Sequence, residues 1–212
     1  MATNFVNNNF MQLAFERKSI RLYDEKTKIA RSEMLEMIQE ATTAPSSVNM
    51  QPWRFVVVDS DAGKKKLRPL VMSNLHQDDT SAAMLLVFGD LQCYRRGPEI
   101  YDLAVAEGKM SPEVREKQLK TMIPTYQSFS KQQMNDVVKV DASLAAMQFM
   151  LVARAHGFDT CAIGGFDAEH LPAAFDLDPD RYVPVMIISI GKAAEKGHDT
   201  VRLKADSITR FV

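Results

Sequence analysis

The segment from Asn135 to His156 carries the longest helical pattern in the chain, and it is apolar almost all the way round. Val137, Val140, Leu144, Met147 and Leu151 hold one face, while Ala146, Phe149, Met150 and Ala153 hold another. A helix with a single apolar stripe can lie on a surface, but one that is apolar on every side has to be covered on every side. The chain must therefore wrap other elements around this helix or give one flank of it to a dimer seam. With 212 residues it is long enough to do so as one domain with a sizeable core.

The covering elements alternate between strand and helix patterns. Trp53 to Asp59, Ala82 to Gly89 and Val183 to Ile190 read as buried strands, the last apolar on both faces, and Asp159 to Ile163 as a short one. Asn4 to Ala14 reads as a helix with Phe5, Val6, Phe10, Leu13 and Ala14 opposite Asn7, Asn8 and Asn9. Asparagines are poor helix formers, so that helix needs packing to hold it. Ser32 to Thr42 reads as a helix capped by Ser32, with Glu33 and Glu36 near its positive end and Met34, Leu35, Met37, Ile38 and Ala41 buried. Ala62 to Leu70 and Ala168 to Phe175 are shorter helices. From Leu91 to Lys131 the pattern is partly helical, broken by Gly97-Pro98, Ser111-Pro112 and Pro124. Tyr94, Tyr101, Tyr126 and Phe129 there either wall a pocket or simply pack. His156 followed by Gly157 fits a helix C-terminus, which makes the histidine a cap rather than a catalyst. Lys192 to Val212 is polar and irregular. The class is α+β.

Composition and motifs exclude several functions. A net charge of −1 and a pI near 6.4 give no electrostatic case for nucleic acid or an anionic membrane. Cys93 and Cys161 fit neither a metal spacing nor a disulfide framework and point to a reducing, cytoplasmic setting. The absence of a cation before Arg17 and of a signal-length apolar run speaks against export, and no stretch reaches the roughly 18 apolar residues of a membrane span. No His-Glu-x-x-His, Cys-x-x-Cys pair or carboxylate cluster supports a metal, and no Gly-x-Ser-x-Gly supports a serine hydrolase. No Gly-x-Gly-x-x-Gly supports a Rossmann site. Asp61-Ala-Gly63-Lys64 lacks the upstream glycine and following hydroxyl of a P-loop.

Three stretches remain. Ala44 to Phe55 joins a helix to a strand with two prolines, two serines, Asn49 and Gln51. The prolines stiffen the loop, and the amides offer paired donors and acceptors to a flat heterocycle with polar edges. Arg17-Lys18-Ser19-Ile20-Arg21 gathers three cations and a hydroxyl, a combination that can cradle a phosphate. Cys161-Ala-Ile-Gly-Gly-Phe-Asp167 follows a strand with paired glycines that let backbone approach a ligand.

In this order and spacing the stretches resemble the nitroreductase family of FMN-dependent oxidoreductases, over most of the chain. Arg17-x-Ser19-x-Arg21 is similar to the family's N-terminal phosphate motif, and Pro45-Ser46-Ser47-x-Asn49-x-Gln51-Pro52-Trp53, the most specific match, to its flavin-ring loop. Ala153-Arg154-Ala155-x-Gly157 with Ile163-Gly164-Gly165-Phe166 resembles the late helix and glycine turn, and Gly191-Lys192 with Arg202 the C-terminal phosphate contacts. The resemblance implies a sandwich with a central mixed sheet flanked by helices, working as an interlocked homodimer with FMN in the interface. It implies one domain over residues 1–212, with about 91–131 over the substrate pocket and about 192–212 clasping the partner.

The implied cofactor-binding residues are Arg17, Lys18, Ser19, Arg21, Pro45, Ser46, Ser47, Asn49, Gln51, Ile163, Gly164, Gly165, Lys192 and Arg202. In such enzymes NADH or NADPH delivers hydride to the flavin N5, leaves, and is replaced by a quinone, nitroaromatic or similar acceptor in a ping-pong cycle. No protein side chain is a required general acid. Lys18, Arg21 or Lys192 would offset charge on the flavin, a backbone N–H near Gly164 or Gly165 would face N5, and Ser47 and Asn49 would hold the ring edge from the opposite subunit. Ile163 stands where some relatives place an acidic residue, which bears on the tuning of N5. A flavin store or sensor without turnover would carry the same binding motifs. Reductive dehalogenation or flavin destruction, both found among relatives, would be decided in the 91–131 region.

Overall fold

The long helical pattern forms the central helix of a two-faced sheet domain. The computed structural model describes residues 5–212. In chain order its elements are α1 (Phe10–Phe15), α2 (Arg31–Ala41), β1 (Trp53–Val58), α3 (Asp61–Leu67), α4 (Leu75–Thr80), β2 (Ala83–Asp90), α5 (Gly97–Ala106), α6 (Pro112–Ser128), α7 (Lys131–Ala155), β3 (Asp159–Ile163), α8 (Leu171–Ala174) and β4 (Tyr182–Gly191). Ser130 and Gln133 close a capping box that starts α7. His156 is its C-cap, and Gly157 follows at φ 79°, the left-handed conformation that ends a helix with least cost to glycine. His156 is also buried, with Nε2 2.9 Å from Glu40 Oε2, so it braces α7 against α2.

The strands pair antiparallel in the order β1-β2-β4-β3. The two-residue period of a strand sorts β2 cleanly. Leu85 and Val87 join Met34, Met37, Ala142, Ala145 and Phe149 beneath α2 and α7, while Met84, Leu86 and Phe88 join Leu67, Cys161, Leu171 and Ile187 on the far face. A third cluster of Met50, Cys93, Tyr101, Tyr126, Met134 and Val138 ties α5 and α6 to the start of α7. Among the described residues no helix is long and apolar enough to cross a membrane.

The structure corrects several expectations. The first helix spans only Phe10–Phe15, because Asn9 turns its side chain onto Met11 N and Gln12 N as an N-cap and Asn7 accepts from Asn9 N. Short polar side chains that bond nearby backbone start helices rather than continue them. Asn4 lies outside the described residues. Ser32 does not cap α2; Ala30 occupies the N-cap without a side-chain bond. Leu35, expected in the buried face of α2, is 66% exposed. β1 is an edge strand and only half-buried along its middle. Among the described residues, the sheet that the resemblance implied to be mixed has four strands, all paired antiparallel, and a single bridge, from Ser19 to Thr160, is parallel. Gly97-Pro98 and Ser111-Pro112 start α5 and α6 rather than break them, since proline suits a first helical turn, where its missing N–H has no partner to lose. Of the two apolar faces of α7, only that of Ala146, Phe149, Met150 and Ala153 is buried; Val140, Leu144 and Met147 are 63, 43 and 40% exposed.

Candidate active site

The loop before β1 is held in a conformation its residues do not favour. Val48, Asn49 and Gln51 have φ of 44°, 57° and 45°, in the left-handed region that crowds any Cβ and suits a β-branched residue least. Each such residue costs on the order of 1–3 kcal/mol, so the surroundings must fix the loop. Ser47 donates its backbone N–H (2.9 Å) and its hydroxyl (3.1 Å) to the two carboxylate oxygens of Asp141 on α7. Tyr101 of α5 donates its hydroxyl to the Val48 carbonyl at 2.8 Å, and Tyr126 of α6 donates to that of Ser47 at 3.4 Å. Gln51 N donates to Ser46 Oγ, and Arg54 Nη1 donates to the Gln51 carbonyl, both at 3.0 Å. With both ends tied, the exposed Asn49 and half-buried Gln51 side chains lie together (Gln51 Nε2 to Asn49 Oδ1 3.3 Å) on the wall of an open cavity of about 600 Å³. Leu35, Ile38, Phe55, Val57, Ile100 and Leu103 give that cavity an apolar floor, and Arg54, Arg96, Glu99, Glu107 and Lys109 give it a charged rim.

Arg54 is itself fixed by Asp90, which is fully buried and also receives a forked pair from Arg181, Nε to Oδ1 and Nη2 to Oδ2, both 2.9 Å. Burial alone would raise the Asp90 carboxyl, but the Arg181 fork, the Gln92 N–H and Arg54 outweigh it and hold it below the ordinary carboxylate range. Asp141 has no cation to compensate, and burial raises it above that range despite its two bonds from Ser47. Burial pushes the Tyr126 hydroxyl up to about 12, so at neutral pH it is a donor.

The basic stretch lies at the opposite edge of the sheet. Ser19 bridges Thr160 in parallel, and Ile20 N donates to the Thr160 carbonyl at 3.1 Å, so Arg17 to Arg21 run alongside β3. Arg17 is half-buried and Arg21 exposed, and neither guanidinium has a hydrogen bond or ion pair with another described residue. Lys18 pairs with Asp199 of the tail. Lys192 donates to the Gly157 carbonyl and sits 4.5 Å over the Phe158 ring. Arg202 is exposed, bonded to the Val201 carbonyl and to nothing in the basic stretch. Ile163, the last residue of β3, is buried, while Gly164 and Gly165 just beyond it are exposed. A Cβ on Gly164 would meet nothing, so a flat group can approach that backbone closely. Asn74 Nδ2 holds the Gly165 carbonyl at 2.8 Å.

Apart from Arg202, the predicted residues therefore form two sets. Pro45, Ser46, Ser47, Asn49 and Gln51 sit beside β1; Arg17, Lys18, Ser19, Arg21, Ile163, Gly164, Gly165 and Lys192 sit beside β3. Three strand spacings of about 4.8 Å put those edges roughly 14 Å apart, and core residues fill both faces between them. The sequence reading missed Asp141 and Arg54 and left Tyr101 and Tyr126 undecided between pocket wall and packing. A carboxylate inside the apolar pattern of α7 was the one available signal.

Comparison with known proteins identifies the family. The model of the nitroreductase family matches residues 14–192. The candidate NAD(P)H nitroreductase YdgI of Bacillus subtilis is 47% identical over 204 residues, 96% of this chain and 98% of that protein. The CLA biosynthesis enone reductase of Lactiplantibacillus plantarum is 39% identical over 210 residues, covering 99% and 97%. A crystal structure of a candidate nitroreductase from Exiguobacterium sibiricum, in complex with FMN, superposes with a TM-score of 0.95 at 45% identity over 97% of this chain and 98% of that one. The family match and these full-length relatives, on an α+β fold, place the chain among NAD(P)H-dependent flavin oxidoreductases. The chain belongs to the nitroreductase family.

Proposed function

We propose that this chain is an FMN-dependent NAD(P)H oxidoreductase that works as a homodimer. The observation that carries the reading is the half-buried Arg17, a cation without a partner among the described residues, two residues from Ser19 on the segment that runs along β3 toward the open backbone at Gly164. A partly desolvated cation is costly until an anion meets it, and one terminal phosphate suits Arg17, Ser19 and Arg21. FMN, when bound, supplies the two-electron chemistry that passes hydride from NAD(P)H to an acceptor. Arg17 and Arg21 hold the phosphate, with Lys18 and Lys192 adding positive charge near it. The exposed Gly164 and Gly165 admit the ring against their backbone. Ser47, Asn49 and Gln51 present amide and hydroxyl groups to the ring's polar edge. Because the two sets lie at opposite sheet edges, the loop of one subunit completes the site of its partner. The exposed side of α7 and the tail after Lys192 supply the surfaces for that pairing.

The test is to purify the protein, extract its cofactor and run steady-state kinetics with NADH or NADPH and a quinone or nitroaromatic. The expected results are FMN on chromatography and parallel double-reciprocal lines. FAD, or no flavin after reconstitution, overturns the reading, and flavin without turnover makes the chain a store or sensor. The full-length similarity to an enone reductase and the apolar cavity floor favour a second acceptor class, an α,β-unsaturated ketone on an apolar chain. Comparing kcat/KM for such a ketone and for a quinone of similar size decides between them.

Arg17→Ala gives the direct test of the phosphate site. Removing a charge-assisted contact of about 1.5–3 kcal/mol should weaken FMN binding roughly ten- to 150-fold, read by fluorescence quenching. Lys65→Ala, on the exposed side of α3, is the control. Equal affinities in the two variants would reduce the basic stretch to surface charge.

A further inference from the structure

We infer that Asp141, Tyr101 and Tyr126 are positioning residues for the flavin ring: they clamp the backbone of Ser47 and Val48 in the strained conformation that turns Asn49 and Gln51 outward. The inference rests on the proposed flavin site and goes beyond it, because none of the three side chains lies in the motif that resembles the family. The geometry is specific. Asp141 is 3% exposed, and its carboxylate meets the N–H and the hydroxyl of one residue, Ser47. The tyrosine hydroxyls reach the two successive carbonyls of Ser47 and Val48 from two different helices. Val48 and the neighbouring Asn49 and Gln51 have φ of 44°, 57° and 45°. A non-glycine segment persists there only when its neighbours over-determine it. Without the clamp the segment relaxes to ordinary φ values, and the Asn49 and Gln51 amides leave the cavity wall. Helices α5 and α6 thus do more than cover a pocket: through two hydroxyls they set the shape of the loop that reads the ring.

The test separates ring from phosphate. FMN and riboflavin share the ring, and riboflavin lacks the phosphate. Both are titrated into the apo forms of the full-length wild type, D141A, D141N, Y101F and R17A. D141A should weaken FMN and riboflavin by the same factor, about ten- to 100-fold for two charge-assisted bonds. It should also shift the visible absorption and circular dichroism of the bound flavin. Y101F, losing one neutral bond, should weaken both about two- to tenfold. D141N keeps an acceptor for Ser47 N–H and gains a donor for the Ser47 hydroxyl oxygen, so it should stay within about threefold of wild type. R17A should weaken FMN alone and leave the visible spectrum unchanged. Leu67→Ala, which opens a cavity in the far-face core, controls for general destabilisation: it should lower the melting temperature without changing flavin affinity.

Unchanged flavin affinity in both D141A and Y101F, or a loss confined to FMN, would overturn the clamp. So would a parallel loss in Leu67→Ala. If D141A does not fold, Y101F and the D141N comparison carry the result. A wild type that binds neither flavin would overturn the proposed function itself, before any variant is compared.

Discussion

Asp90→Ala is expected to lower stability by about 3–5 kcal/mol, the range for removing one partner of a buried ion pair. Asp90 is fully buried at the end of β2, and its oxygens accept from Arg181 Nε and Nη2, Arg54 Nη2 and Gln92 N. Alanine would leave two half-buried guanidiniums facing a cavity. Arg54 also carries the Gln51 carbonyl, so the ring loop should loosen with it. The pH dependence follows from the lowered carboxyl of Asp90. Its contribution is fully present above its unfolded value, near about 3.9, and is lost as pH falls through the lower folded value. Thermal unfolding of wild type and Asp90→Ala from neutral pH downward should show a large gap that narrows only in strong acid. A gap under about 1 kcal/mol at neutral pH would mean that water already solvates the arginines and that the network contributes little.

No member of that network was legible in the sequence, and the reason is physical. Asp90, Arg54 and Arg181 are far apart in the chain and meet only because the ladders put the start of β1 beside the end of β2 and the start of β4. What local period determines was legible: β3 runs from Asp159 to Ile163 as expected, β2 and β4 agree to within a residue at each end, and the Gly157 stop of α7 held. Local competition for backbone hydrogen bonds was not legible. Asn7 and Asn9 bond backbone and delay α1, and the prolines at 98 and 112 sit in first turns, where they favour a helix. In the candidate site, residue types were visible as a motif, whereas the left-handed backbone at Val48, Asn49 and Gln51 was not. Nothing in Val48 itself asks for φ 44°; the demand comes from Asp141, Tyr101 and Tyr126, which are distant in sequence. That loop and basic stretch would lie at opposite sheet edges also depends on strand order, which pattern alone does not supply.

Truncation after Thr200 is expected to give a folded monomer that no longer retains flavin. The segment removed carries Val201, Leu203, Ile208, Phe211 and Val212, which are 94, 77, 69, 92 and 110% exposed in the single chain. Burying one such side chain contributes up to about 1.5–3 kcal/mol, so a partner that covers several of them gains well over the roughly 3 kcal/mol that shifts a dissociation constant 100-fold. Little inside the subunit depends on the segment. Among the tail's contacts with the body, Glu195 Oε1 receives the N–H groups of Arg21 and Leu22, and Asp199 pairs with Lys18; all of these precede the cut. The truncated chain should therefore keep its secondary structure and most of its melting temperature while its sedimentation coefficient falls to that of a monomer. Flavin should be lost with the partner, because in the proposed arrangement the ring loop that completes each site belongs to the other subunit. A truncated chain that sediments as a dimer and keeps its flavin would assign the seam to the exposed apolar faces of α1 and α7, where Phe10, Phe15, Val140 and Leu144 lie open. The tail would then be dispensable for the assembly.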